Sequence, residues 1–199
     1  MAHEKRLLDS IGPLCEPLYD VFTNAKIAAR KRHPEFVADL ELRPVLTHVT
    51  RGLALYDLRG RDLGTWKTTP QKNAGIALSD GSLSIRVLHQ LPDASPPPPG
   101  RNRVRRHFYS NPTLNDDFFP PGHNLLALWS ETRSGLSFRI VRPVGTWAYG
   151  ARHKVDLDFV LPAHAADLDS LVYETTDEDL VIVIPREEGE GGGERGITG

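Results

Sequence analysis

The stretch AGIALSDGSLSIRVLHQL, residues 74–91, decides the fold class of this chain. Apolar-rich runs flank Asp80 and Gly81, and an Asp-Gly pair tolerates the positive φ angles of a tight hairpin turn. On the return strand, three apolar residues share one face: Leu83, Ile85 and Val87. We therefore predict a β-hairpin over residues 74–90 that buries this apolar face, because side chains alternate between the two faces of a strand.

Strand patterns continue towards the C-terminus. Residues 124–145 contain a second hairpin pattern that turns between Thr132 and Gly135. Three further strand patterns follow, at residues 154–162, 170–176 and 179–185. With a strand pattern near Trp66, they predict a mainly antiparallel sheet of about six to eight strands.

The N-terminal third has the pattern of helices instead. Residues 17–32 carry apolar side chains at helical spacing, and a shorter helix is expected over residues 3–10. The segment after Pro44 fits a helix in its first part and a strand in its second. The fold class predicted from these patterns is α+β, with a helical segment packed on an antiparallel sheet. The expected parts are a helical segment, a mainly β domain and a flexible tail, at residues 1–58, 59–186 and 187–199.

Charge and cysteine content limit the classes of protein. The net charge is −2, so only a local patch would contact nucleic acid. Cys15 is the single cysteine, which rules out an intramolecular disulfide and favours a reducing compartment. Residues 1–12 contain no apolar run typical of a secretory signal, and no run has the roughly 20 apolar residues of a membrane helix. We expect a cytoplasmic protein with no membrane segment.

The most distinctive segment is a proline-rich excursion at residues 92–123. It is longer than an ordinary connection, and loops on a rigid scaffold often carry binding function. A stiff proline run, residues 96–99, is expected to hold the arginines that follow it away from the body of the protein. The candidate partner-binding residues are Arg101, Arg103, Arg105, Arg106, Phe108 and Tyr109.

These residues have two interpretations. Arginines bind phosphates and aromatic rings stack on unpaired bases, so the segment fits a nucleic-acid or acidic protein partner. The alternation of Arg103, Arg105 and His107 also fits a solvent-exposed edge strand, where charge discourages edge-to-edge pairing. We predict a binding or regulatory protein that needs no cofactor and that engages a protein or nucleic-acid partner through residues 95–123.

An enzymatic alternative rests on Asp156 and Asp158. Two residues apart on a strand, they are expected on one face, about 7 Å from each other. Such a carboxylate pair can hold Mg²⁺ or Mn²⁺ for phosphoryl transfer. Upstream, Gly145 and Thr146 follow an apolar-rich run and are candidates for a phosphate-binding turn.

The same region resembles the signature of minimal nucleotidyltransferases. There a Gly-Ser pair precedes a small residue, a glycine and then Asp-hydrophobic-Asp. The matching positions here are Gly145, Thr146, Ala148, Gly150, Asp156 and Asp158, with threonine in the place of serine. The resemblance implies a metal-dependent nucleotidyl- or phosphotransferase, for which Asp179 is the candidate third carboxylate.

Overall fold

The structure, a computed structural model, describes residues 2–111, 123–133, 135–175 and 181–185. This part of the chain contains five α-helices: α1 (Ala2–Ile11), α2 (Cys15–Arg32), α3 (Pro34–Ala38), α4 (Arg43–Leu58) and α5 (Arg103–Tyr109). The two predicted N-terminal helices are confirmed. Pro13 lies in a short 3-10 turn between them, whereas Pro17 lies in the first turn of α2, where a missing backbone N–H breaks no helical hydrogen bond.

Eight strands of the described chain form one sheet: β1 (Lys67–Thr68), β2 (Ile76–Ser79), β3 (Leu83–His89), β4 (His123–Thr132), β5 (Gly135–Pro143), β6 (Val155–Leu161), β7 (Leu171–Thr175) and β8 (Val181–Pro185). Their spatial order is β1-β2-β3-β4-β5-β6-β8-β7. The β3–β4 and β6–β8 pairs are parallel and the other pairs are antiparallel. The predicted α+β class with a mainly antiparallel sheet is confirmed.

Strand alternation divides the apolar side chains between two faces of the sheet. On one face, a main core packs α1, α2 and α4 against the strands. Phe22 of α2 contacts Trp129 and Phe138 there, with ring centroids 5.1 and 5.2 Å apart. Burying each such side chain contributes about 1.5–3 kcal/mol. The main core therefore takes its side chains from both the helical segment and the mainly β part.

The opposite face carries a smaller apolar cluster, called here the second cluster: Tyr109, Leu126, Leu128 and Val141. Phe108, Trp147 and Val155 pack against it while remaining partly exposed. The sheet thus carries long helices on one face, and on the other the short helix α5 that follows the proline run.

The first hairpin is confirmed. Its strands β2 and β3 pair antiparallel, and the predicted apolar face is buried while Ser84 and Arg86 are half-buried. The turn differs in one respect from the expected geometry, in which both Asp80 and Gly81 have positive φ angles. Only Gly81 has a positive φ, of 98°, and Asp80 instead accepts hydrogen bonds from the amides of Ser82 and Leu83 through Oδ1. A side-chain acceptor replaces the second left-handed position.

The segment after Pro44 is mostly helix. Helix α4 continues to Leu58, and the strand expected behind it is limited to the two residues of β1. Trp66, just before β1, donates from Nε1 to the carbonyl oxygen of Ser10 at 2.7 Å. This bond ties the segment to the end of α1. The second predicted hairpin, β4 and β5, turns between Thr132 and Gly135 as expected.

Candidate interaction site

The arginine-rich segment forms a helix, so the strand expected over Arg103, Arg105 and His107 is wrong. Helix α5 is capped by Asn102, whose Oδ1 accepts from the amides of Val104 at 2.9 Å and Arg105 at 3.3 Å. An asparagine at this position satisfies amides that a helix start leaves unpaired, which outweighs the weak alternating pattern.

Helix α5 is anchored by its aromatic end. Tyr109 is fully buried and donates from its hydroxyl to the carbonyl oxygen of Pro97 at 2.9 Å. Burial raises the pKa of Tyr109 to about 12, so the hydroxyl remains a donor. Its ring lies 5.2 Å from that of Trp147. Tyr109 is therefore a structural anchor and offers no free ring to a partner.

Phe108 is also occupied, and the proline run is not a spacer. The guanidinium of Arg86 lies 4.6 Å above the centre of the half-buried Phe108 ring. Pro96 and Pro99 are buried. The expectation that the run holds the arginines away from the body is therefore wrong: the segment packs on the protein, because its apolar rings gain more by burial than by exposure.

The cationic side chains of this segment face solvent. They are called here the α5 surface: Arg101, Arg103, Arg105, Arg106 and His107, all exposed. Arg106 donates from Nε to the carbonyl oxygen of Gly100 at 2.9 Å, which holds the Arg106 side chain against the preceding turn. Within the described part of the chain, none of these arginines pairs with a carboxylate.

The positive charge of the α5 surface also affects the neighbouring Arg86. Partial burial, followed by the charge of Arg105, lowers the pKa of Arg86. Like charges thus accumulate around α5, although the net charge of the whole chain is −2. Such a concentration of positive charge raises the local concentration of anions at this surface.

The two carboxylates of the enzymatic alternative are not on one face. Strand β6 has a bulge against β5, because Arg142 is opposite Leu157 and Pro143 is opposite Val155, which leaves Asp156 as an extra residue. The extra residue shifts the alternation, so Val155 packs on the second cluster and Leu157 joins the main core.

Each carboxylate pairs with its own arginine. Asp156 forms an ion pair with Arg142 and Asp158 forms one with Arg139. The two arginines are three residues apart on β5, so strand alternation puts them on opposite faces. Asp156 and Asp158 were predicted to share a face because two residues of this spacing do so on a strand without a bulge.

The Asp156–Arg142 pair belongs to a buried cluster that sequence reasoning missed. The side chain of Arg142 is 1% exposed, and it donates from Nε and Nη2 to Nδ1 of His123 at 3.1 and 2.9 Å. Since Nδ1 accepts, the proton of the neutral ring is on Nε2. An arginine inside the apolar run of β5 was the available signal for a buried partner.

The remaining candidate residues of the enzymatic alternative are not part of the buried cluster around Arg142. Gly145 and Thr146 lie in the connection between β5 and β6, and no helix begins there. The amide of Val144 donates to Lys154 O at 3.0 Å, so the connection closes as a hairpin loop with Thr146 exposed. Asp179 lies outside the described residues. Those residues also contain no group of three acidic, histidine or cysteine side chains placed to hold a metal ion.

Cys15 is buried at the start of α2. Burial, with smaller contributions from Glu16 and Asp167, raises the pKa of its thiol to about 12. A nucleophilic cysteine needs its thiolate form, which burial disfavours here.

Comparisons of this chain with protein-family models, with curated proteins and with solved structures found no match. Among the helices described here, none has the length and apolar content needed to cross a membrane.

Proposed function

We propose that this protein is a binding protein whose α5 surface engages the phosphate backbone of a nucleic acid. The observation that carries the proposal is a set of exposed guanidinium groups, without carboxylate neighbours in the described chain, on a helix anchored at one end by the buried Tyr109. Anchoring reduces the conformational entropy that binding would otherwise cost. Guanidinium groups also match phosphate oxygens in charge and in hydrogen-bond geometry.

The packing of the aromatic rings supports contact with phosphates rather than with bases. Phe108 lies under Arg86 and Tyr109 is buried, so neither ring is placed to stack on a base. Phosphate contacts position a protein without reading sequence directly. We therefore propose binding with little sequence preference and strong salt dependence.

The metal-dependent transferase has less support. Its two proposed metal ligands each pair with an arginine, and the β6 bulge separates them. A shared metal site needs carboxylates that converge on one ion.

A gel-shift titration with a single-stranded oligonucleotide tests the proposal. Four phosphate contacts give a log–log dependence of affinity on salt with a slope of roughly −3. Replacing Arg101, Arg103, Arg105 and Arg106 together by serine is expected to abolish the shift at low salt. The matched control replaces four exposed cations elsewhere by serine: Lys31, Arg32, Arg59 and Lys72. It removes the same charge and is expected to keep binding.

Equal loss of binding in both variants would show a response to net charge alone and would contradict the proposal. Binding of an acidic protein, with no competition from the oligonucleotide, would reassign the α5 surface to a protein partner. Charge substitutions would then act mainly on the association rate.

A further inference from the structure

A second site is indicated by a cleft that contains no residue of α5. It has a volume of ≈ 790 Å³ and lies where α2, α3 and α4 meet the ends of β3 and β4 and the start of β5. We call it the arginine cleft, after Arg30, Arg43 and Arg139, which line it together with His89 and Glu131. Ligand pockets are typically about 300–1,000 Å³, so its size suits a small organic molecule.

Among the residues that the structure describes, the charged side chains next to the cleft do not cancel. Glu131 Oε2 accepts from Lys26 Nζ at 3.0 Å and from Arg30 Nη2 at 2.8 Å, so one carboxylate serves two cations. Arg43 has no carboxylate partner among the residues that the structure describes. These side chains carry three positive charges against one negative charge. The excess equals the charge of one dianion.

The guanidinium of Arg139 is engaged by other residues and serves to position one wall of the cleft. It pairs with Asp158 and donates from Nη1 to the carbonyl oxygen of Ala94 at 2.6 Å. These contacts fix one wall of the cleft. Arg43 and the remaining donors of Arg30 are therefore the groups able to clamp an incoming anion, and two guanidinium groups suit the several oxygens of a phosphate.

Apolar side chains complete the lining. Leu46, Leu91 and Val160 share the cleft with the arginines. Val160 is 57% exposed although it lies on a strand at the cleft wall. An organic body next to the anionic group would cover this apolar surface and gain hydrophobic stabilisation. The amino end of α4, which begins at Arg43, adds a partial positive charge.

From the charge excess, the two arginines and the apolar lining together, we propose that the arginine cleft binds a small phosphomonoester with an apolar body. The phosphate lies between Arg30 and Arg43, and the organic group lies against Leu91 and Val160. This site is independent of the nucleic-acid contact proposed for α5.

Isothermal titration with phenyl phosphate tests this assignment, at a pH of about 7.5, where the phosphate is mostly dianionic. We expect saturable binding of phenyl phosphate, weaker binding of inorganic phosphate and none of phenol. Arg43→Gln should weaken phenyl phosphate binding by about tenfold or more, because it removes a charge-assisted contact. Arg59→Gln, at the other end of α4 and outside the cleft, should bind as wild type does.

Two further measurements locate the site. Amide chemical-shift changes are expected at His89 and Gln90, and the four-serine variant of α5 should bind phenyl phosphate normally. Loss of binding in that variant would place the anion at α5 and overturn the assignment. So would absent binding, or equal weakening by Arg43→Gln and Arg59→Gln. Phthalate binding as tightly as phenyl phosphate would replace the phosphate by a dicarboxylate and contradict the assignment of a phosphomonoester.

Discussion

The buried Asp156–Arg142 pair allows a sharp test of the fold. The substitution Asp156→Asn keeps the size of the side chain and removes its charge, which leaves Arg142 buried without this counter-charge. Side-chain exposure is 1% for Arg142 and 12% for Asp156, so water compensates little. Removing one partner of a buried ion pair costs about 3–5 kcal/mol. Because Asp156 keeps some contact with water, we expect a loss near the lower limit, about 3 kcal/mol.

The second aspartate provides the matched comparison. The side chains of Asp158 and Arg139 are 13% and 23% exposed, and Arg139 keeps its bond to Ala94 after Asp158→Asn. Solvent screens this pair better, so its loss should cost about half as much. The double substitution of Arg142→Met with Asp156→Leu should recover stability relative to Asp156→Asn, since apolar replacement of a buried pair is often neutral or stabilising.

Urea denaturation followed by tryptophan fluorescence measures these free energies of unfolding, because Trp129 is buried in the main core. A free energy of unfolding within about 1 kcal/mol of wild type for Asp156→Asn would contradict a buried ion pair, since only exposed sites usually show such small effects. A larger loss from Asp158→Asn than from Asp156→Asn would also contradict the deeper burial of the Asp156–Arg142 pair.

Three further predictions concern single residues. The thiol pKa of Cys15 is raised from 9.0 to about 12, so the unfolded chain ionises first, and the stability due to this group, complete below pH 9, falls between these values. The loss is about 1.4 kcal/mol per pH unit. Above pH 9, the free energy of unfolding of wild type should therefore fall relative to that of Cys15→Ala, as measured by urea denaturation. Parallel pH profiles of the two proteins would contradict this prediction. Tyr109→Phe removes the hydrogen bond to the carbonyl oxygen of Pro97 and should lower the free energy of unfolding by about 0.5–1.5 kcal/mol, or by more if that carbonyl stays unpaired. The same urea titration measures this loss, and no change would mean that the hydroxyl bond is absent. Gly81→Ala should cost about 1–2 kcal/mol in thermal unfolding, because its φ of 98° is strained for any other residue although space is open around it; an unchanged melting temperature would contradict the turn geometry.

Local patterns were sufficient to predict the elements that build the scaffold. The alternation after Asp80 predicted both the hairpin and its buried face, and helical spacing in residues 17–32 predicted α2. In each case, the decisive residues are neighbours in the chain, and their period matches the geometry of one element. The α+β class follows from the order of those elements.

The candidate site was predicted less well, for a reason visible in α5. Its arginines were correctly identified as exposed cations, but the segment was expected to be a strand, and Tyr109 was expected to face a partner. The hydroxyl of Tyr109 bonds to Pro97, and its ring packs beside Trp147. The contact with Trp147 comes from a distant part of the chain and leaves no local trace in the arginine-rich stretch.

The sequence by itself determined most of the helices and strands, where the two hairpins turn, and where positive charge is concentrated. Only the tertiary structure decided which charges are paired and which aromatic rings are buried. Arg142 meets Asp156 because a single extra residue in β6 shifts the alternation, and Arg86 reaches Phe108 across the second sheet face. Backbone periodicity acts over a few neighbouring residues, whereas burial and counter-charge depend on side chains that meet only when the sheet has assembled.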